Sequence, residues 1–260
     1  MATNAMTKYK EFETDGRNAL TQHVGDRANI DELMSDIALA FSMSKNGALF
    51  KAVQTDEGKR TAISAVKLAV SQGLSLNPAH RECSLIPYGN TVQLVPEKAG
   101  YIKKAISTNR IKVITTDIVY KNDEFELSKS AETDDYTFKP NLDDRGEFRG
   151  AFTCIVFTDG VKRVEYMSAK QGEEHRSKWG EKNPLWKGKT FPQMVEKTTL
   201  IYACKRNNIA PAIEMHRADV EQYIDGDGVV YDVQPEQTAA EELAEELTSD
   251  NSEQADGDRF

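Results

Sequence analysis

The 260-residue chain predicts an α+β fold: a small antiparallel sheet made of two hairpins and packed with helices, after an N-terminal helical part and before an acidic tail. Three observations carry this. Apolar-rich runs are joined by Gly89-Asn90 and Asp159-Gly160, pairs that tolerate the positive φ of tight turns, so the flanking strands are antiparallel neighbours. Around them, apolar residues recur at three- and four-residue spacing, the period of a helix packed on one face. From about Asp225 the composition turns acidic and poor in aromatics, which leaves too little apolar surface for a core, and residues 225–260 read as disordered.

Residues 1–28 are polar and aperiodic and read as a flexible N-terminus. Leu33, Met34, Ile37, Ala38 and Phe41 then mark a helix that Asn29 is suited to cap. A second helix runs from about Gly58 to Gln72, with Ile63, Val66, Ala69 and Val70 inward and Gly73 as its stop. The helical lobe ends at about residue 73, and an α+β core follows to residue 224.

The first hairpin pairs Glu82–Tyr88 with Thr91–Val95. Pro96 ends it and suits the first turn of the next helix, where its fixed φ costs nothing. On that helix Ala99, Ile102 and Ile106 form one stripe, expected to be buried, with Tyr101, Lys104 and Thr108 on the other side. Arg110–Tyr120 alternates as a strand, which Asn122-Asp123 turns into Glu124–Ser128. Residues 130–146 read as loop with a short edge strand at Tyr136–Phe138. Phe148–Thr158 and Val161–Met167 make the second hairpin, and Ser168 starts a short charged helix. Trp179–Lys189 is a basic, aromatic loop. Thr190-Phe191-Pro192 opens a helix to about Asn207, and residues 212–224 fit one further short helix. In the tail, Ala240, Leu243, Ala244 and Leu247 give segment 236–247 a narrow apolar stripe, too small to hold a helix alone but able to dock on a partner.

Charge has to be divided before it informs. Residues 218–260 hold fourteen acids and one base, Arg259, so they carry −13 while the whole chain carries −9. Residues 1–217 are therefore at +4, mildly basic and compatible with nucleic acid. No apolar run approaches the length of a membrane span, and the N-terminus lacks an apolar leader core, so a cytoplasmic protein is expected. Cys83, Cys154 and Cys204 lie far apart among apolar neighbours and read as buried thiols. There is no GxxxxGK[ST], no Gly-rich dinucleotide loop and no HExxH. Asp123, Glu124 and Glu126 have the composition to hold magnesium, though a charged turn accounts for them as well. No ATP hydrolysis and no required cofactor are expected.

Cations and aromatics remain. Lys98, Tyr101, Lys103 and Lys104 share one helix, and Arg110 and Lys112 open the next strand. Trp186, Lys187 and Lys189 fall in the aromatic loop, Lys197, Lys205 and Arg206 on the late helix, and Arg81 follows Pro78 in a loop. Such a set suits a groove that tracks phosphates, with rings free to meet unstacked bases. The competing readings are lysines that snorkel at a core edge and tryptophans that anchor a core.

Leu76-Asn77-Pro78, Ser84-Leu85-Ile86-Pro87-Tyr88-Gly89, Lys98-Ala99-Gly100-Tyr101-Ile102 and Val119-Tyr120-Lys121-Asn122-Asp123-Glu124-Phe125, with Trp186, Met194 and Lys197-Thr198, resemble in order and spacing the RecT family of phage and prophage single-strand annealing proteins. The resemblance spans roughly residues 30 to 215. It implies ATP-independent binding of single-stranded DNA and annealing to its complement, with the annealed duplex as an intermediate. It also implies homo-oligomers, as rings or helical filaments, and work beside a phage exonuclease. The acidic tail is then a dock for that exonuclease or for host single-strand-binding protein. Two rival readings, a metal-dependent nuclease and a non-enzymatic phage adaptor, stay open at this point.

Overall fold

Residues 2–25, 29–180 and 184–210 are described by a computed structural model of the chain. Helices α1 (Ala2–Val24), α2 (Ile30–Ser42), α3 (Ala48–Ala52) and α4 (Asp56–Gln72) lead into a hairpin of β1 (Cys83–Tyr88) and β2 (Thr91–Pro96). The signals read from sequence act where expected. The Asn29 side chain accepts from the Asp31 amide at 3.0 Å, and Gly73 closes α4 at φ 68°. The loose N-terminus is corrected: Ala2–Val24 is helical, with Phe12 and Leu20 buried. Apolar residues are too sparse along it to set up a period. Its fastening is tertiary, with Phe12 stacked on Phe41 at 5.1 Å and Tyr9 edge-on to Phe50 at 5.0 Å. One core runs from these rings through Ile37, Leu49, Val66 and Leu76 to Leu85 and Leu94 of the hairpin. Ala38, expected inward, is exposed.

After α5 (Lys98–Ser107) come β3 (Ile111–Tyr120), β4 (Glu124–Ser128), β5 (Asp135–Lys139), β6 (Phe148–Phe157), β7 (Lys162–Ser168), α6 (Ala169–His175) and α7 (Phe191–Arg206). The main sheet is antiparallel in the order β3-β6-β7. Its central strand is buried from Gly150 to Ile155, as a strand covered on both faces must be. Helices α5 and α7 cover one face around Ile111, Ile155 and Leu200. The β4–β5 hairpin covers part of the other through Phe125, Phe138 and Phe152. Ser168 forms a capping box with Gln171 at the start of α6.

Two strand expectations change. Asn122-Asp123 does turn the chain, but β4 pairs with β5, and β3 pairs with β6. The Asp123 carboxylate replaces a ladder at that turn: it accepts from the amides of Tyr120 (2.8 Å) and Asn141 (3.0 Å) and pairs with Arg145 at 2.7 Å. The alternation read along β3 also breaks at its start. A register shift between Ile111 and Val113 sends Ile111 to the helix-covered face with Ile114 and leaves Val113 exposed. The readings for 212–224, the acidic tail and segment 236–247 lie outside the described residues.

Candidate nucleic-acid interface

Helix α5 is seated by Gly100. A Cβ there would lie 2.0 Å from the Glu82 carbonyl oxygen, which also accepts the Glu97 amide at 2.9 Å, so the first turn rests directly on backbone. Burial accordingly falls on Gly100, Tyr101 and Ala105, and the last two meet Leu200, Ala203 and Cys204 of α7. The expected phase of this helix is rotated: Tyr101 is 3 % exposed and Ile106 is 45 % exposed, while Ile102 packs partly buried against the same core. Sequence periodicity ranked Ile above Tyr for the core, whereas close packing against α7 and the Gly100 seat decided otherwise. Tyr101 is therefore no platform for bases.

Helices α5 and α7, which carry six of the expected cations between them, pack together. Lys98 Nζ reaches Glu196 at 2.6 Å. Lys103 is held at 2.6 Å by Glu82, which also accepts the Ser75 amide at 2.7 Å. Arg206 pairs with Glu165 at 3.0 Å. Three of the expected phosphate contacts thus already have carboxylates, each of them largely buried while its cation stays exposed.

Lys104, Arg110 and Lys112 differ. None is in a salt bridge among the described residues, and they sit on the last turn of α5 and the opening of β3, one corner of the molecule. Arg110 and Lys112 are exposed, and Lys104 is half-buried. The Arg110 guanidinium lies 5.9 Å from the Phe157 ring centre, and its carbonyl accepts the Thr158 amide, so the corner is held from two sides. Lys112 sits at the bulge, pushed out of the regular ladder. On α7, Lys197 is half-buried and Lys205 exposed. Arg81 is exposed, at φ 52°.

Trp186 is corrected in the same way as Tyr101. It is fully buried against Ala151, Met167, Phe191 and Val195, with its ring 5.2 Å from that of His175. It anchors the aromatic loop, and Lys187 and Lys189 stand exposed just after it. These two lie at the N-terminal end of α7, while Lys104, Arg110 and Lys112 lie by its C-terminal end, about 24 Å away along the helix. The Trp179 side chain lies outside the described residues.

Sequence reasoning missed the carboxylates Glu82, Glu165 and Glu196, which come from distant segments and carry no local signal. It also missed a polar cleft of about 480 Å³ where Lys129, Arg163 and Arg206 face Asp134 and Glu165. Burial alone would raise the Asp134 pKa, but the Val164 amide at 2.8 Å and the Lys129 ammonium hold it below the usual carboxylate value. Two of its cations are paired, Lys129 with Asp134 and Arg206 with Glu165, so most of its charge is already offset. Asp123 is likewise committed: burial pushes its pKa up, and the Arg145 guanidinium with two amides more than reverses this. Glu124 pairs with Lys139 at 2.8 Å. Two of the three acids considered for magnesium, Asp123 and Glu124, thus already have cationic partners.

The family model of RecT matches residues 35–219. The chain belongs to the RecT family. The matched span holds every element from within α2 to α7, including the α5–β3 corner and the aromatic loop. RecT membership carries single-stranded DNA binding and strand annealing in recombination. No curated protein matches the chain. Among the described residues no helix is long and apolar enough to cross a membrane.

Proposed function

We infer that this RecT-family protein holds single-stranded DNA by its phosphates along the α5–β3 corner and the flank of α7, and pairs it with a complementary strand without nucleotide hydrolysis. The observation that carries this reading is the grouping of Lys104, Arg110 and Lys112 without carboxylate partners among the described residues, beside the paired Lys98 and Lys103. Backbone contacts leave Watson–Crick edges open, so base pairing supplies both specificity and driving force while the ammonium groups offset repulsion between two phosphate chains. Lys187 and Lys189 extend the track, and Lys197, Lys205, Arg206 and Arg81 flank it. Neither buried ring takes part. The protein acts in the cytoplasm of a phage-bearing bacterium, as rings or helical filaments, with a phage exonuclease supplying resected ends. It needs no cofactor, and magnesium at most screens phosphates.

An annealing assay with complementary labelled oligonucleotides, without ATP, tests the reading. The wild type should accelerate pairing, and the Lys104→Ala/Arg110→Ala/Lys112→Ala variant should lose most of that acceleration while keeping the wild-type circular dichroism. Unchanged annealing by the folded variant would remove the corner from the site. Cleavage of the strands with magnesium would replace annealing by nuclease action.

A further inference from the structure

The loop between β5 and β6 presents Leu142 at 91 % exposure, the most exposed large apolar side chain among the described residues. The loop is not slack. The Asn141 side chain accepts from the amides of Asp143 (3.0 Å) and Asp144 (3.1 Å), and the Asp144 carboxylate accepts from the Gly146 amide at 2.9 Å. The buried Asp123 grips both ends, through the Asn141 amide and the Arg145 guanidinium. An apolar knob flanked by two carboxylates is thereby held out on a braced support, and such exposure marks a contact surface.

In the N-terminal lobe, the end of α2, the following turn and β1 enclose an apolar groove of about 350 Å³, lined among others by Met43, Leu49, Leu76, Leu85 and Pro87. Lys45 is the only charged residue that lines it. Asn46 and Gly47 hold its rim at φ 53° and 64°. Groove and knob are complementary in both respects: an apolar floor with one cation, and an apolar tip with two anions.

We propose that Leu142 of one copy seats in this groove of the next, with Asp143 and Asp144 facing its Lys45. Knob and groove are different surfaces, so the contact is heterologous. It repeats from copy to copy, closing as a ring or running on as a helix according to the rotation it imposes. Surfaces around the knob supply the rest of the roughly 1,000 Å² that a stable interface requires, with Leu142 as its central anchor. This specifies the assembly part of the function inferred above and rests on it, whereas the DNA corner takes no part in the contact.

Sedimentation velocity of the full chain, with and without complementary oligonucleotides, tests it on four samples: wild type, Leu142→Asp, Met43→Asp, and an equimolar mixture of the two variants. Both replaced side chains are exposed, at 91 % and 66 %, so folding should be intact by circular dichroism. The wild type should exceed a dimer, each variant should remain monomeric, and the mixture should stop at dimers, because one intact knob and one intact groove remain. A variant that assembles like the wild type, or a mixture that stays monomeric, overturns the interface. Loss in Met43→Asp alone assigns the groove to another occupant, such as residues 211–260, and overturns it too. A wild type that is monomeric throughout overturns both the interface and the assembly reading beneath it, and leaves DNA binding to its own assay.

Discussion

Asp123 shows how much one carboxylate can decide. It is almost wholly buried, ends β3, redirects β4 and braces the loop that carries Leu142. Replacing it by Asn at neutral pH should lower stability by about 3 kcal/mol, because the Arg145 guanidinium is left without its counter-charge. The folded-state pKa of Asp123 is depressed, so its contribution is complete above the ordinary carboxylate range and is lost as pH falls through the folded value. The gap in melting temperature between wild type and Asp123→Asn should therefore close on acidification. A gap that stays constant with pH would show that the charge is not what stabilises. Gly100 is the second decisive residue. Gly100→Ala puts a methyl group 2.0 Å from the Glu82 carbonyl, and urea unfolding should register a loss of about 2 kcal/mol. The thiols are quieter. Burial, followed for Cys83 by the nearby Glu82 and Glu97, raises the pKa of Cys83 to about 12, and burial alone takes Cys204 to about 12. Neither should react with a maleimide until the chain is unfolded.

Among the elements, α5 carries the sharpest lesson. Its sequence favoured Ala99, Ile102 and Ile106 for the core, and the helix turned Tyr101 and Ala105 inward. The cations nevertheless reached one side of the molecule, since Lys104 ends α5 and Arg110 and Lys112 begin the strand it leads into. Proximity in sequence placed them together whatever the phase of the helix. If each touches phosphate, single substitutions to Ala should flatten the salt dependence of oligonucleotide binding, with the slope of log K against log salt falling by about 0.7 per cation. Lys98→Ala and Lys103→Ala should give smaller changes, because Glu196 and Glu82 already offset those charges. Equal slopes for all five variants would dissolve the distinction between paired and unpaired cations. Strand β3 behaves similarly. Its existence and length were readable, but its partner was not, because the pairing with β6 skips an intervening hairpin.

For the whole molecule, the division of charge sets the expectations. A body at +4 is followed by a segment at −13. Removing residues 226–260 should tighten oligonucleotide binding several-fold at low salt if the acids compete for the corner. Unchanged affinity would leave the segment to partner docking, with the stripe at Leu243 and Leu247 as its contact. The helical lobe and the sheet are tied by short local devices, since the Glu82 side chain binds both Ser75 after α4 and Lys103 of α5. Glu82 thus fastens the start of the hairpin to the helix that borders the cations.

From the sequence alone came the α+β class, both hairpins with their turns, the caps at Asn29, Gly73 and Ser168, the grouping of cations at the α5–β3 corner, and the family resemblance. All of these depend on neighbours within a few residues or on the order of motifs along the chain, which one-dimensional reading can reach. Tertiary structure decided which face of α5 is buried, that Trp186 and Tyr101 belong to cores, that α1 is held by rings of α2 and α3, and that Lys98, Lys103 and Arg206 meet carboxylates. Burial and ion pairing are settled between segments far apart in the chain, where packing volume and charge separation have no trace in local order.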